Sequence, residues 1–265
     1  MAIHRVRSDV SVLSDSLDVP GIGHVPVNAF VLLAEQPVVV DTGLGLPDRN
    51  FLDTLASVVD PADVRWIWLT HPDRDHTGGL FDLLAAAPEA RLVTTFLACG
   101  IMSCERPLPL DRVFLLNAGQ TLDVGDRTLT GFRPPLFDNP ATVGLFDDST
   151  GVCFSSDCFG GPLPTAELAT TDDVRAIAAE DLRAAQLLWA TVDSPWLQTV
   201  DEEKFLAGFA TLREREPELV LSTHLPPAPE ITGTMIDTLG SAAGAPGFVG
   251  PDQAALEQML AGFER

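Results

Sequence analysis

Tyrosine is absent from this 265-residue chain, and lysine occurs once, at Lys204. The missing tyrosine excludes any tyrosyl chemistry. Basic residues are scarce overall, because 16 Lys and Arg stand against 38 Asp and Glu for a net charge of −22. Such an acidic surface repels phosphate backbones and anionic lipid. The composition therefore predicts a small-molecule substrate and no nucleic-acid or membrane partner.

Long apolar runs are also missing. The first ten residues, MAIHRVRSDV, contain no apolar core of signal-peptide length, and no window of the chain approaches a membrane span. The sequence therefore predicts a cytoplasmic protein. Its 46% hydrophobic and 20% charged residues are typical of a globular chain that can bury an ample core.

Cysteine is nearly as scarce, with four residues at positions 99, 104, 153 and 158. Four residues separate the members of each pair, and zinc ribbons use two to four between their ligands. A disulfide would be unusual in a cytosolic protein. We interpret the four cysteines as small buried apolar residues.

The order of elements predicts a single domain. A first strand is expected over 5–17, an apolar hairpin pattern covers 27–43, and a helix is expected from about Pro47 to Val59. Strand–helix pairs follow to about 104, and short strands fill 112–156. Helices, one of them over 201–215, and one last strand at 218–223 complete the order. No linker, charge block or repeat divides the chain. We predict one α/β (α+β) domain over 1–265, with two sheets packed face to face and helices outside. The C-terminal helices within 231–263 are expected to pack on it.

The stretch THPDRDHTGG, at 70–79, holds the densest cluster of metal-capable side chains. It places His71, Asp73, Asp75 and His76 within six positions, and two of the chain's five histidines lie here. An apolar strand pattern precedes it and the helical pattern LFDLLAAA follows it. Turns between a strand and a helix are where α/β folds usually place functional side chains.

Three further side chains of this kind occur at strand ends or in a loop between strands. Asp157 follows the apolar strand GVCFSS, His224 ends the strand LVLST, and Asp138 lies in the Pro-rich loop RPPLFDNPAT. In a layered fold such turns converge on one edge. Two ions a few Å apart, sharing a bridging carboxylate, would suit this arrangement. Plainer roles stay open, since Asp75 could cap a helix and Asp138 could belong to an ordinary turn.

With these residues in place, the sequence resembles the metallo-β-lactamase-fold superfamily. The stretch THPDRDHTGG is similar to its His-x-His-x-Asp-His motif, and VVVDTG resembles the Asp-Thr-Gly turn upstream. FSSDCFG resembles the strand with the bridging Asp, and STHLPP the strand ending in the last His ligand. The resemblance covers roughly residues 25–226 in the right order and implies a four-layer αββα sandwich.

The resemblance also implies a ligand set. One ion would be held by His71, Asp73 and Asp138, and the other by Asp75, His76 and His224. Asp157 would bridge the two ions, and Asp75 and His76 would act as the catalytic residues.

Two positions depart from the superfamily pattern. Asp73 stands where most members have a second histidine, and Asp138 falls about where the third histidine of the first site is expected. A carboxylate at the first position resembles the flavodiiron branch and its oxygen-sensing relatives, which have Glu there and bind two irons. The segments HVPVNAFVL and PPLFDNP are similar to that branch as well. The flavodoxin domain that such proteins usually carry is not among these 265 residues.

The carboxylate-rich ligand set predicts two metal ions per chain, with iron or manganese favoured and zinc as the alternative. Four carboxylates and three neutral imidazoles cancel the charge of two divalent ions before any hydroxide binds. A histidine-rich site keeps a net positive charge, which lowers the pKa of bound water toward ~7. A neutral, oxygen-rich site is expected to be a weaker Lewis acid toward water.

Three functions therefore stay open. The leading hypothesis is a metallo-hydrolase in which a metal-bound hydroxide attacks an ester, thioester, amide or phosphoester bond. The alternative is a diiron oxidoreductase of the flavodiiron type, which reduces O₂ or NO with electrons from an external flavin or rubredoxin-type partner protein. The third is a non-enzymatic sensor of O₂, NO or metal, or a degenerate fold with a weakened site. Asp73 is the residue on which the choice depends most.

Overall fold

The structure, a computed structural model, describes residues 1–263. The strands of this range are β1 (Ala2–Arg5), β2 (Val10–Val19), β3 (Gly23–Leu32), β4 (Val38–Val40), β5 (Trp66–Trp68), β6 (Arg91–Thr94), β7 (Val113–Leu115), β8 (Thr121–Asp123), β9 (Thr128–Phe132), β10 (Gly144–Asp147), β11 (Val152–Phe154), β12 (Leu219–Leu221) and β13 (Ala228–Pro229). The helices are α1 (Phe51–Ala56), α2 (Arg74–Thr77), α3 (Leu80–Ala86), α4 (Phe96–Ser103), α5 (Ala166–Ala169), α6 (Ala179–Asp193), α7 (Glu202–Ala207), α8 (Ala210–Arg215), α9 (Thr232–Gly240) and α10 (Gln253–Phe263).

The strands form two mixed sheets. The first has the order β1-β2-β3-β4-β5-β6-β7, antiparallel up to β4 and parallel from β4 to β7. The second has the order β13-β12-β11-β10-β9-β8, in which only the β11–β12 pair is parallel. The parallel strands β4, β5 and β6, and the parallel pair β11 and β12, therefore end in turns that can share an edge.

Three apolar clusters show how the layers stack. One lies between the sheets and includes Phe30, Trp68 and Phe154. A second packs the outer face of the first sheet, with Val31 and Ile67, against α1, α3 and α4. A third packs the outer face of the second sheet against α5 to α9. The predicted αββα sandwich is thus confirmed.

The position of β3 in the first sheet explains why its end, from Ala29 onward, is apolar at every position. Phe30 and Leu32 face the space between the sheets, whereas Ala29 and Val31 face the helices. A strand buried on both faces has no polar side to alternate with. The continuous run AFVLL therefore follows from a sheet covered on both faces.

Several predicted boundaries are wrong. The helix expected from Pro47 begins instead at Phe51, because Asn50 caps it by accepting a hydrogen bond from the Asp53 backbone. The single helix expected over 201–215 is two, since α7 ends at Ala207 and α8 begins at Ala210. The single strand expected over 5–17 is split between β1 and β2.

The cysteine expectation holds for three positions of four. Cys99, Cys153 and Cys158 are buried, whereas Cys104 is exposed because it follows the last turn of α4.

The last two helices differ in burial. Helix α9 buries Met235, Ile236 and Leu239 in the outer cluster of the second sheet, whereas α10 leaves Leu256 and Leu260 exposed. Residues 264–265 of the predicted single domain lie outside the described range. The single-domain reading and the packing of the whole 231–263 segment remain predictions. Within residues 1–263, no helix is long and apolar enough to cross a bilayer.

Candidate metal centre

The seven side chains expected to bind metal lie together where turns from both sheets meet. His71 and Asp73 follow β5, and Asp75 and His76 lie on α2. Asp157 follows β11, His224 follows β12, and Asp138 lies between β9 and β10. Ligand-capable atoms lie within 4.8 Å of one another in a first group (His71, Asp73 and Asp138) and a second group (Asp75, His76 and His224). That these groups hold metal stays a prediction.

Asp157 lies between the two groups. Its Oδ2 atom is 3.3 Å from His71 Nε2, whereas its Oδ1 atom is 3.0 Å from His76 Nε2 and 3.2 Å from His224 Nε2. One carboxylate oxygen thus faces each group. This is the geometry that a bridging carboxylate needs.

The other carboxylates lie around the rim of the same space. In the first group, Asp73 Oδ2 and Asp138 Oδ1 are each 3.8 Å from His71 Nε2. In the second group, Asp75 Oδ2 is 3.3 Å from His224 Nε2 and 3.8 Å from His76 Nε2. These separations are close to those between atoms that share one ion, since metal–oxygen and metal–nitrogen bonds are about 2.0–2.2 Å.

Two unsatisfied atoms test whether this site suits metal. His76 Nε2 and Asp157 Oδ1 are buried and lie 3.0 Å apart, yet neither has a hydrogen-bond partner. Leaving buried polar atoms unpaired costs about 1–3 kcal/mol each. A cation bound by both atoms would remove this cost, so the donor set fits a metal ion.

The other nitrogen of each histidine is held by the protein. His76 Nδ1 donates to Asp41 Oδ2 at 2.8 Å, and His224 Nδ1 donates to the Pro26 carbonyl at 2.7 Å. His71 Nδ1 lies 3.1 Å from Ser156 Oγ. With the proton on Nδ1, every Nε2 presents a lone pair toward Asp157, as a metal ligand must.

Asp41 connects several of the residues that hold the histidines in place. Its carboxylate accepts from the Thr70 backbone and hydroxyl, each at 2.8 Å, as well as from His76. Ser156 Oγ donates to Thr70 Oγ1 at 2.9 Å, which extends the network to His71. Asp41 and Ser156 both adopt positive φ, at 55° and 56°. Such strained backbone clusters at functional sites.

The glycine pair of the motif has a steric role. A Cβ atom on Gly78 would lie 2.1 Å from the Gly45 backbone nitrogen and 2.4 Å from the Gly43 carbonyl oxygen. Gly78 N donates to the Gly43 carbonyl at 3.0 Å, and Thr42 N donates to the His76 carbonyl at 2.7 Å. The Asp-Thr-Gly turn therefore packs directly on α2, which brings Asp41 to His76.

Replacing Asp41 with asparagine is expected to weaken metal binding about 10–100-fold, the usual cost of losing a group that orients a metal-binding histidine. The amide oxygen accepts the hydrogen bond from His76 Nδ1 less strongly than a carboxylate does. Its NH₂ group can instead donate to Nδ1, which favours the tautomer with the proton on Nε2, and that tautomer cannot bind metal through Nε2. Isothermal titration with Fe²⁺ under anaerobic conditions measures the change. An unchanged affinity would show that Asp41 does not orient the ligand, and Asp53→Asn, on the exposed start of α1, is the control.

The charges of the metal-free site are strongly coupled. Burial opposes ionisation of Asp157, but His71, His76 and His224 overcome it and hold the pKa of Asp157 well below its ordinary value. Burial likewise opposes protonation of His76, yet Asp41 and Asp157 raise its pKa well above 6.5. Without metal, protons on His76 and His224 balance the carboxylates, whereas burial lowers the pKa of His71.

The carboxylates on the Asp138 side lack such a balance. Burial, then Asp157 and Asp73, raise the pKa of Asp138 to about 7. Burial, then Asp157 and Asp138, raise the pKa of Asp193 to about 8. This side of the site therefore has more carboxyl groups than nearby positive charges can balance, so two of them keep their protons to higher pH.

Sequence reasoning missed three residues here. Asp193 ends α6 and lies near Asp138 and Asp157. Asn139 donates from Nδ2 to Asp73 Oδ1 at 2.9 Å, and Trp189 donates from Nε1 to the Asp157 carbonyl at 3.1 Å. Asp193 lies three residues after the buried Ala190 and seven after the buried Gln186. That spacing puts it on the buried face of α6, and was a usable signal.

The model of the metallo-beta-lactamase superfamily matches residues 22–207, which is well over half of the chain and includes Asp41, Asp157 and the THPDRDHTGG motif. The chain belongs to this superfamily. The superfamily expectation is therefore confirmed, and the matched range holds six of the seven expected ligands, with His224 beyond its end.

The chain is similar to flavorubredoxins and flavodiiron proteins, in agreement with the expected resemblance to that branch. An anaerobic nitric oxide reductase flavorubredoxin from Salmonella typhi is 29% identical over 134 residues, which are 50% of this chain and 28% of that protein. A flavorubredoxin homolog from Escherichia coli O157:H7 is 28% identical over 134 residues, 50% of this chain and 33% of that protein. The matches thus span about a third or less of these relatives.

Solved structures show the same fold. Rubredoxin oxygen:oxidoreductase from Desulfovibrio gigas has a TM-score of 0.78 at 19% identity, covering 92% of this chain and 62% of that one. The flavodiiron protein from Giardia intestinalis has a TM-score of 0.76 at 16% identity, covering 92% and 59%. A diflavin flavoprotein fragment from Nostoc sp. PCC 7120 has a TM-score of 0.73 at 15% identity, covering 92% and 95%.

Proposed function

We propose that this domain holds two iron ions and reduces NO or O₂, with electrons from a flavin or rubredoxin-type donor outside the domain. The observation that carries the proposal is the position of Asp157 between two ligand groups, of which the first contains two carboxylates, Asp73 and Asp138. Oxygen-rich ligand sets suit iron better than zinc. The names of the relatives, a nitric oxide reductase and an oxygen oxidoreductase, support the same reaction class.

Exposure indicates where a substrate would enter. The side chains of His71, His76 and Asp157 are at most 4% exposed, whereas Asp73 is 41% and Asp138 is 31% exposed. The histidine side of the centre is therefore closed by protein, and the carboxylate side opens to solvent. A diatomic molecule fits such a rim without a large pocket.

Each group of residues has a distinct part in this function. Bound iron would supply electrons to the small molecule. Asp157 would hold both ions, Asp41 and the Pro26 carbonyl fix the histidine tautomers, and Asn139 holds Asp73 in place. The buried histidine side excludes water and thus competing proton transfer.

The hydrolase hypothesis is less well supported than the oxidoreductase alternative. The relatives are named as reductases, and four carboxylates leave no net positive charge to activate water. The expectation of zinc has no support among these relatives, whereas the expectation of iron has. Small-molecule substrates and a redox partner protein are retained in the proposal.

The proposal is tested on protein loaded anaerobically with Fe²⁺. Metal analysis is expected to give two irons per chain, with a ferric absorption that disappears on reduction. Ferrous protein is expected to consume NO or O₂ repeatedly when dithionite-reduced rubredoxin is supplied, as followed with NO and O₂ electrodes. The His76→Ala variant is expected to lose at least about 100-fold in rate, because it removes a ligand.

A matched control is His4→Ala. His4 lies on strand β1, is hydrogen-bonded to the Thr170 carbonyl and is not one of the expected ligands. Zinc-loaded protein is assayed in parallel against ester, thioester, amide and phosphoester substrates. Chelator-sensitive hydrolysis without NO or O₂ consumption would restore the hydrolase hypothesis. Oxidation of the ferrous protein in a single turnover, with no repeated consumption, would indicate a sensor.

A further inference from the structure

One more carboxylate lies beside the expected metal centre, on helix α6, which covers the outer face of the second sheet. One oxygen of Asp193, the last residue of α6, lies within 4.8 Å of ligand-capable oxygens of Asp138 and Asp157. Asp193 is absent from both ligand groups and from the superfamily pattern in the sequence. Its role here rests on the proposed iron function.

The position of Asp193 is unfavourable for its own helix. The C-terminus of a 15-residue helix carries a partial negative charge, so an anion there costs about 0.3–1 kcal/mol instead of stabilising the helix. The Asp193 side chain accepts a single hydrogen bond, from Ser194 Oγ at 3.1 Å. Local helix chemistry therefore does not explain this residue.

The three carboxylates lack a permanently charged partner, since histidines are the only basic side chains paired with them among the described residues. Within the described part of the chain, no arginine or lysine forms an ion pair with Asp138, Asp157 or Asp193. Like charges this close repel one another strongly when partly buried. The cluster is therefore stable only with protons or a bound cation between its members.

A second observation points to the cation. Asp157 is 4% exposed, and its Oδ1 atom is buried without a hydrogen-bond partner. That atom faces His76 and His224, whereas Oδ2 faces His71, and the same carboxylate also belongs to the cluster with Asp138 and Asp193. An ion held by Asp157 and Asp138 therefore lies within reach of Asp193.

We propose that Asp193 is an eighth side chain of the metal centre and binds the ion held by Asp138. The geometry requires only a small closure, because oxygens on one ion with bonds of about 2.1 Å lie about 3–4.2 Å apart. Asp138 connects Asp193 to the first group, since its carboxylate belongs both to that group and to the cluster with Asp193.

This ligand changes the charge of the site. Five carboxylates and three neutral imidazoles give one net negative charge with two divalent ions and one net positive charge with two trivalent ions. Asp193 therefore stabilises the ferric over the ferrous state and lowers the reduction potential of the ion that it binds. It also favours trivalent over divalent ions in general.

The experiment compares Asp193→Asn with Asp193→Glu and with the control Asp181→Asn, which changes an exposed acid on the same helix. Anaerobic Fe²⁺ titration and metal analysis give stoichiometry and affinity, and a redox titration followed by the ferric absorption gives the potentials. In Asp193→Asn, we expect one iron to bind at least about 10-fold more weakly and its potential to rise. Asp193→Glu is expected to retain both irons, and Asp181→Asn to match the parent.

A readout on the metal-free protein separates ligation from a structural role. Because asparagine removes an acid that must be either charged beside Asp138 and Asp157 or protonated at a cost, metal-free Asp193→Asn is expected to unfold at the same temperature as the parent or higher. A lower unfolding temperature, or failure to fold, would show that Asp193 supports the fold and would overturn the proposal. Unchanged affinity and potential in Asp193→Asn, with two irons in the parent, would overturn it while leaving the proposed function intact. A parent protein that does not bind two irons would overturn the proposed function as well.

Discussion

Changing Asp157 to asparagine is expected to abolish the paired metal centre, and to reduce iron from two ions per chain to one or fewer. Asp157 is the only one of the seven expected ligands that faces both groups, with Oδ2 toward His71 and Oδ1 toward His76 and His224. An amide offers a single weak oxygen and a nitrogen that repels a cation. Affinity for the second ion is expected to fall by more than about 100-fold, beyond the cost of losing an orienting group.

Metal analysis after anaerobic loading measures this loss. Asp237→Asn changes an exposed acid on α9 that pairs with Arg213 and is the matched control, expected to keep both ions. Two tightly bound irons in the Asp157 variant would contradict the bridging role. Loss of both ions in the control would instead indicate that the preparation, and not the residue, was at fault.

The second large effect is a pH dependence of opposite sign in the metal-free and metal-loaded protein. Burial favours neutral His224, but Asp157 and Asp75 outweigh it and raise the pKa of His224 from 6.5 to about 9. The folded chain thus binds this proton more tightly than the unfolded chain. The stabilisation is complete below pH 6.5 and is lost as the pH rises through 9. For His224 it is on the order of 3 kcal/mol.

Metal reverses the direction, because a histidine must lose its proton before it can bind an ion. Iron affinity is therefore expected to rise with pH over the range in which metal-free stability falls. Urea unfolding with chelator, from pH 6 to 9, measures the first trend, and metal titration at the same pH values measures the second. His224→Gln is expected to flatten both curves, whereas His4→Gln is not. A metal-free stability that rises with pH would contradict the ion-paired site.

Much of the fold was predictable because burial leaves a strong pattern. The hairpin of β3 and β4 and the strand β5 are apolar runs bounded by turns, and the structure has them within a few residues. Boundaries failed where a single side chain decided them, as with Asn50 at the start of α1. Capping is local and competes with equally plausible starts such as Pro47, so periodicity does not locate it.

The site was predictable in membership but not in arrangement. Motif order placed His71, Asp157 and His224 at strand ends, and parallel neighbours bring such ends to one edge. Sequence spacing could not show that Asp157 turns one oxygen to each group. It also could not show that Asp41, with a strained backbone, ties His76 to the network.

The sequence by itself indicated the superfamily and its αββα layering through four motifs in the right order, and it predicted a carboxylate-rich donor set from the residue types in those motifs. The tertiary structure alone decided which nitrogen of each histidine faces Asp157, which side of the cluster is open to solvent, and that Asp193 lies beside Asp138 and Asp157. Those features depend on contacts between residues far apart in the chain, such as Asp138 and Asp193, which no local pattern encodes. The same holds for Asp73, which replaces the histidine of most superfamily members. The Asn139 amide holds its carboxylate in place, and only the tertiary structure shows this contact.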